Sequence, residues 1–101
     1  MSTVIEYTLR PKAAEYDALL GQYIRLADDV ADNDLAVRLI MVAGDADQRV
    51  IRSIGVYGAP DGADVALVAA FHRNVRDRLE GDVERSALEL IHLHARKLIP
   101  A

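Results

Sequence analysis

Glu89-Leu90-Ile91-His92-Leu93-His94-Ala95-Arg96-Lys97-Leu98 reads as a β-strand near the C-terminus. Successive side chains of an extended chain point to opposite faces. Ile91, Leu93 and Ala95 therefore share one face, and Leu90, His92, His94, Arg96 and Leu98 share the other. Two of the chain's three histidines stand side by side with an arginine. The first face calls for a helix-covered core. The second calls for water, a pocket or a partner subunit.

Working outward from this strand, the rest of the sheet can be sought. Thr3, Ile5, Tyr7 and Leu9 alternate with Val4, Glu6 and Thr8, which predicts a first strand. Arg10-Pro11 ends it, because proline cannot donate to a ladder. Tyr16, Leu19, Leu20, Tyr23, Ile24, Ala27 and Val30 recur at helical spacing and predict a helix over 13–31. A second strand over 35–43 divides into Leu35, Val37, Leu39, Met41 and Ala36, Arg38, Ile40, Val42. The turn residues of 44–48 lead into a third strand over 49–57, apolar on both faces. A second helix over 63–79 turns Val65, Val68, Ala69, His72, Val75 and Leu79 inward. Glu80-Gly81-Asp82 breaks it, and 82–87 offers one more short helical turn before the final strand.

Strand, helix, strand, strand, helix, strand is the split βαβ, ferredoxin-like α+β order. Right-handed crossovers put both helices on one face of a four-stranded antiparallel sheet. The other face is left bare. It would carry Val4, Glu6 and Thr8, then Ala36, Arg38, Ile40 and Val42, then Leu90, His92, His94 and Arg96. That mixture is too apolar for a solvated surface. A second copy of the sheet is the simplest cover, giving a homodimer that encloses a partly apolar cavity.

Bulk properties narrow the classes. A chain of 101 residues is the size of one domain, so 1–101 is expected to fold as a single unit. It is 51% hydrophobic and 28% charged, in the range of globular chains. The net charge of -4 argues against nucleic acid and anionic membranes as partners. With no cysteine there is no disulfide, thiolate nucleophile or cysteine metal site. Neither a signal peptide nor an apolar run near the ~20 residues of a membrane span is present, so a cytoplasmic location is the default. No phosphate-cradling glycine loop, G-x-S-x-G or H-E-x-x-H occurs either.

The opening phrase VIEYTLRP, the amphipathic AAEYDALLGQYI and the hairpin, helix and strand that follow resemble the dimeric α/β-barrel superfamily. Within it they are most similar to small antibiotic-biosynthesis-monooxygenase-like proteins. The resemblance covers nearly the whole chain. It implies a dimeric α/β barrel, in a superfamily whose members include cofactor-independent oxygenases of phenolic polyketides, haem-degrading oxygenases, polyketide cyclases and many proteins of unknown activity. Several oxygenase members use a tryptophan and an asparagine in the pocket. This chain departs from that pattern, with no Trp and with Asn74 on a helix flank. Haem-degrading members carry a histidine on the second helix, where His72 lies. They also use an asparagine on the first strand, where this chain has Glu6 or Tyr7. Haem degradation is therefore not expected.

Histidine titrates near neutral pH and suits general acid–base work. His92 or His94 could take a phenolic or α-carbon proton, or both could bond carboxylates of a partner subunit. His72 lies on an apolar helical face, where a histidine is either a core residue or, as in cyclase members of the family, a base. Glu6 would be costly to bury unpaired, and Arg38, Arg52 or His92 could pair with it. A glutamate so placed could also orient a histidine. Arg38 and Arg96 could hold a developing enolate or phenolate, and Tyr57 could line a pocket mouth. His92, His94 and Glu6 could in principle ligate a metal, but nothing fixes that geometry, and neither metal nor other cofactor is expected. The expected function is a small cofactor-independent monooxygenase acting on a phenolic, polyketide-like aromatic molecule. A polyketide cyclase or isomerase with a histidine base, and a non-catalytic ligand-binding dimer, are the alternatives.

Overall fold

A computed structural model describes residues 2–33, 37–58 and 62–92, with 62–65 as backbone only. Its elements run β1 (Thr3–Leu9), α1 (Tyr16–Asn33), β2 (Val37–Asp45), β3 (Val50–Tyr57), α2 (Gly62–Asn74), a 3-10 turn (Arg76–Arg78) and β4 (Glu84–Glu89). The strands form one sheet in the order β2-β3-β1-β4, and every neighbouring pair is antiparallel. This is the ferredoxin-like α+β arrangement expected from the element order.

The alternation of β1 works as anticipated. Ile5, Tyr7 and Leu9 are buried beneath the helices with Tyr16, Leu19, Tyr23 and Val30 of α1, Ile51 and Tyr57 of β3, Val68 of α2, and then Val75 and Leu79. All four tyrosines of the chain belong to this core, which has no tryptophan to fill it. α1 follows a turn in which the Glu15 N–H donates to the Lys12 carbonyl, and the Asn33 side-chain amide donates to the Asp29 carbonyl at its other end. The hairpin between β2 and β3 is held by Asp45. Its Oδ1 accepts from the backbone N–H of Asp47 at 3.0 Å and of Gln48 at 3.2 Å. Arg49 closes the turn in the left-handed region, at φ 54°.

Three expectations are corrected. The fourth strand is Glu84–Glu89, where a helical turn was anticipated, and 90–92, expected within the final strand, lie past its end. Leu90 still donates to the Ser2 carbonyl at 2.9 Å, but His92 lies beyond the strand and is exposed, and His94 and Arg96 lie outside the described residues. All six residues of β4 are exposed. This edge strand needs no apolar alternation, and the stronger alternation lies in the segment that follows it. Secondly, α2 stops at Asn74 and the chain tightens into the 3-10 turn before Leu79. Thirdly, the β2–β3 register is irregular between Val37 and Leu39. Such an irregularity reverses the faces that follow it. Ile40 and Val42 therefore turn toward the helices, while Leu39 and Met41 turn to the bare side. Arg38 falls at the irregularity, and Ala36 lies outside the described residues.

Directly paired residues share a face, so the registers give the bare face in rows. The first is Leu39, Val56, Val4 and Leu88. The next is Met41, Ile54, Glu6 and Ser86, and the third is Ala43, Arg52, Thr8 and Glu84. The face thus grades from apolar at one end to charged at the other. Among the described residues no helix is long and apolar enough to cross a membrane.

Candidate functional site

His72 sits on the last full turn of α2, between the helix layer and the sheet, and is half-buried. Its Nε2 lies 3.0 Å from the hydroxyl of Tyr23 on α1. The Tyr7 ring of β1 meets the imidazole edge-on with centroids 4.6 Å apart, and the Tyr23 ring lies nearly parallel to it, at 17° and 5.8 Å. Ser53 of β3 is the other hydrogen-bonding neighbour that acts on the Tyr23 phenol. The β1–β3 register pairs Tyr7 with Ser53, so the sheet brings both to one point under the helices. Four elements thus meet around the His72 ring inside the core.

Burial acts in opposite senses on the two titratable members. Desolvation lowers the His72 pKa from 6.5 to about 4, so the imidazole is uncharged at neutral pH. Burial raises the pKa of Tyr23, opposed in part by the Ser53 hydrogen bond, and the phenol keeps its proton.

The imidazole opens onto a cleft of about 300 Å³ lined by His72, Arg73, Arg76, Leu79, Gly81, Asp82 and Val83. That volume is at the lower end for small-molecule sites. The cleft is shaped by the way the chain leaves α2. The Glu80 N–H donates to the Arg10 carbonyl at 2.7 Å, the Lys12 N–H to the Arg78 carbonyl at 2.9 Å, and Leu79 bridges Pro11. The segment after the 3-10 turn is thereby pinned to the exit of β1. Arg78 strengthens the clasp by reaching Glu15 at 2.6 Å and Gln22 at 2.9 Å, both on the α1 side. Arg73 and Arg76 are exposed at the cleft, with Arg76 3.8 Å from Asp82. A depression of about 480 Å³ shares Arg76, Leu79, Gly81 and Asp82 with it, but is otherwise lined by Lys12, Asp77 and Glu80. Those solvated charges give little to hold an organic ligand.

The other anticipated residues lie elsewhere. Glu6 is on the bare sheet face and accepts from the Ser86 hydroxyl at 3.4 Å. It lines a shallow hollow of about 270 Å³ with Thr8, Arg52, Glu84, Arg85 and Ser86. Arg38 is exposed, and its guanidinium lies against Gly58, where an added Cβ would come within 2.9 Å of Nε. Tyr57 is buried in the core, its ring folded over Gly55. His72, Glu6, Arg38, Tyr57 and His92 therefore do not converge on one point. Among the described residues no group of three or more His, Cys, Asp or Glu could hold a metal ion. Tyr23 and Ser53 were not singled out by the sequence, which reads Tyr23 simply as core. The arginines of 73–78 read as a solvated face, whereas Arg78 is half-buried against α1.

No family model matches the chain, and a search of curated proteins finds no match. Solved structures do match. Rv0793 from Mycobacterium tuberculosis superimposes with a TM-score of 0.72 at 13% identity, over 94% of this chain and 100% of that one. A protein of unknown function from Nitrosomonas europaea gives 0.73 at 14%, over 95% of each chain. A candidate antibiotic biosynthesis monooxygenase from Caulobacter crescentus gives 0.72 at 16%, over 90% and 91%. At such identities the likeness is one of fold. The ferredoxin-like fold expected from the sequence is thus one that this chain shares with them.

Proposed function

We propose that the protein is a small monooxygenase that needs no cofactor and acts on a phenolic, polyketide-like aromatic molecule held in the His72 cleft. The observation that carries this reading is an uncharged imidazole, half-buried at a cleft with two arginines and the apolar Leu79 and Val83. The shared fold supports it, since several structures of this shape are named as candidate antibiotic biosynthesis monooxygenases.

The chemistry is balanced without a cofactor. An ionised phenol is electron-rich enough to reduce dioxygen itself. A benzylic CH₂ becomes a carbonyl, one oxygen atom enters the substrate, and the other leaves as water with the two hydrogens. The protein's share is to hold the substrate oxygen beside His72, favour its ionised form, and keep the ring plane against apolar side chains. Arg73 and Arg76 add positive charge near a substrate anion.

A homodimer through the bare sheet face belongs to the same proposal. Its apolar end carries Leu39, Val4 and Leu88, and Leu88 and Met41 are 61% and 48% exposed. Surfaces of this kind are normally covered.

The test is mass spectrometry of products after incubation in air with a panel of anthrones and linear polyketide mimics. Gain of one oxygen with loss of two hydrogens, abolished in His72→Ala, is expected. Loss of water without oxygen gain would replace the oxygenase with a cyclase. Unchanged turnover in His72→Ala would remove His72 from the site.

A further inference from the structure

The row Ser53–Tyr23–His72 has a direction. Among the described residues the Tyr23 phenol has one proton and two hydrogen-bonding neighbours, the Ser53 hydroxyl and His72 Nε2. A phenol is a better donor than an aliphatic hydroxyl, and an imidazole lone pair is a better acceptor than a hydroxyl oxygen. The strongest arrangement sets the best donor on the best acceptor. Tyr23 O–H then donates to Nε2, and the Ser53 hydroxyl, free to rotate, donates to the Tyr23 oxygen. Bonds running in one sense also polarise each other.

The row has little room to rearrange. Tyr23 is 1% exposed and Ser53 3%, on separate elements of the core, and the imidazole is bracketed by the Tyr7 and Tyr23 rings. A neutral imidazole that accepts at Nε2 carries its proton on Nδ1. Among the described residues Nδ1 has no hydrogen-bond partner.

We infer that Tyr23 and Ser53 are positioning residues that lock His72 in the Nδ1–H form, so that the imidazole offers the ligand a neutral N–H donor and not a base. The inference rests on the proposed function for its meaning, since the ligand atom that fits such a donor is a phenolate or enolate oxygen. It changes the proton accounting at that site. The proton lost on ionisation of the phenol goes to solvent at the cleft mouth, and the Nδ1–H bond holds the resulting oxyanion. Neutral histidine as an electrophile is a workable catalytic device where its surroundings keep it uncharged.

The experiment is long-range ¹H–¹⁵N NMR of the His72 ring at neutral pH, without substrate, with the signals assigned by their absence in His72→Gln. The wild type is expected to show a protonated Nδ1 and an unprotonated, hydrogen-bonded Nε2. In Tyr23→Phe the two nitrogens should move toward the averaged shifts of an exchanging imidazole, and in Ser53→Ala they should move the same way by less. A wild-type proton on Nε2 would overturn the inference, as would an unchanged pattern in Tyr23→Phe. If Tyr23→Phe fails to fold, the wild-type and Ser53→Ala patterns decide alone. The measurement involves no substrate. A silent product panel with a locked Nδ1–H therefore removes the oxygenase and leaves the tautomer, while turnover with an exchanging ring does the reverse.

Discussion

His72 is where burial has a consequence that a titration can read. Its folded pKa, about 4, lies below the ordinary 6.5, so the folded state disfavours the protonated ring. The contribution is fully present above about pH 6.5 and declines as pH falls toward about 4. The whole shift corresponds to ~3 kcal/mol, and partial exposure to solvent brings the expected loss to about 1–2 kcal/mol. Urea midpoints at pH 7.5 and 4.5 check this, since His72→Gln should lose that part of the acid-side drop. Gly55 gives a second residue-scale prediction. A Cβ there would come within 2.6 Å of the Tyr57 ring, which is itself buried. Gly55→Ala should cost about 1–3 kcal/mol of unfolding free energy by overpacking. How much of this was legible differs by residue. The inward position of His72 follows from helical spacing. Its partners do not, because only the strand register brings Ser53 beneath Tyr23, and nothing local to Ser53 marks it.

Among elements, the clasp between the exit of α2 and the start of α1 is the part that shapes the cleft. Its two arginines should behave differently. Arg78 is held at 2.6 Å by Glu15, with both side chains about a third exposed, and it also reaches Gln22. Arg76 and Asp82 are 3.8 Å apart and 77% and 92% exposed. Arg78→Ala should therefore lower stability by about 1–2 kcal/mol, while Arg76→Ala should change it by less than about 0.5 kcal/mol. Thermal melts of both variants test the contrast, and equal effects would contradict it. The strands show where a periodic reading succeeds and where it fails. β1 puts Ile5, Tyr7 and Leu9 in the core because one of its faces meets the helices, although Thr8 on the other face is buried too. β2 carries an irregularity at Arg38 that no two-residue period can register, and so Ile40 and Val42 were assigned to the wrong side. β4, ERSALE, lies at an edge with every side chain exposed, and carries less apolar alternation than LIHLHA just after it.

For the molecule as a whole, the order of elements was enough to reach the sheet topology, because right-handed crossovers and antiparallel neighbours leave few alternatives. The position of the site was less accessible. The histidines nearest the C-terminus stand out in the sequence, and His94 lies outside the described residues, whereas the cleft beside His72 lies on the helix side of the sheet. The bare side carries the proposed dimer, and Leu88 and Met41 are its exposed apolar residues. Leu88→Glu should convert the dimer to a monomer in sedimentation-velocity runs at micromolar concentration. A monomeric wild type under the same conditions would sink the sheet-to-sheet arrangement.

β4 is also the partner that joins the two ends of the chain, pairing Glu89 with Thr3 and Glu84 with Thr8. Pairings so distant in sequence close the longest loops and lower the folding rate. Within one protomer, a strand with every side chain exposed gains little from burial once it docks. It is thus expected to zip on last and peel away first. In native-state hydrogen exchange, amides of Glu84–Glu89 that bond to β1 should open by local fluctuation. Those of β3, flanked on both sides, should wait for global unfolding. Each opening of β4 bares the outer edge of β1, the strand that carries Tyr7, and loosens one wall of the layer in which His72 is held.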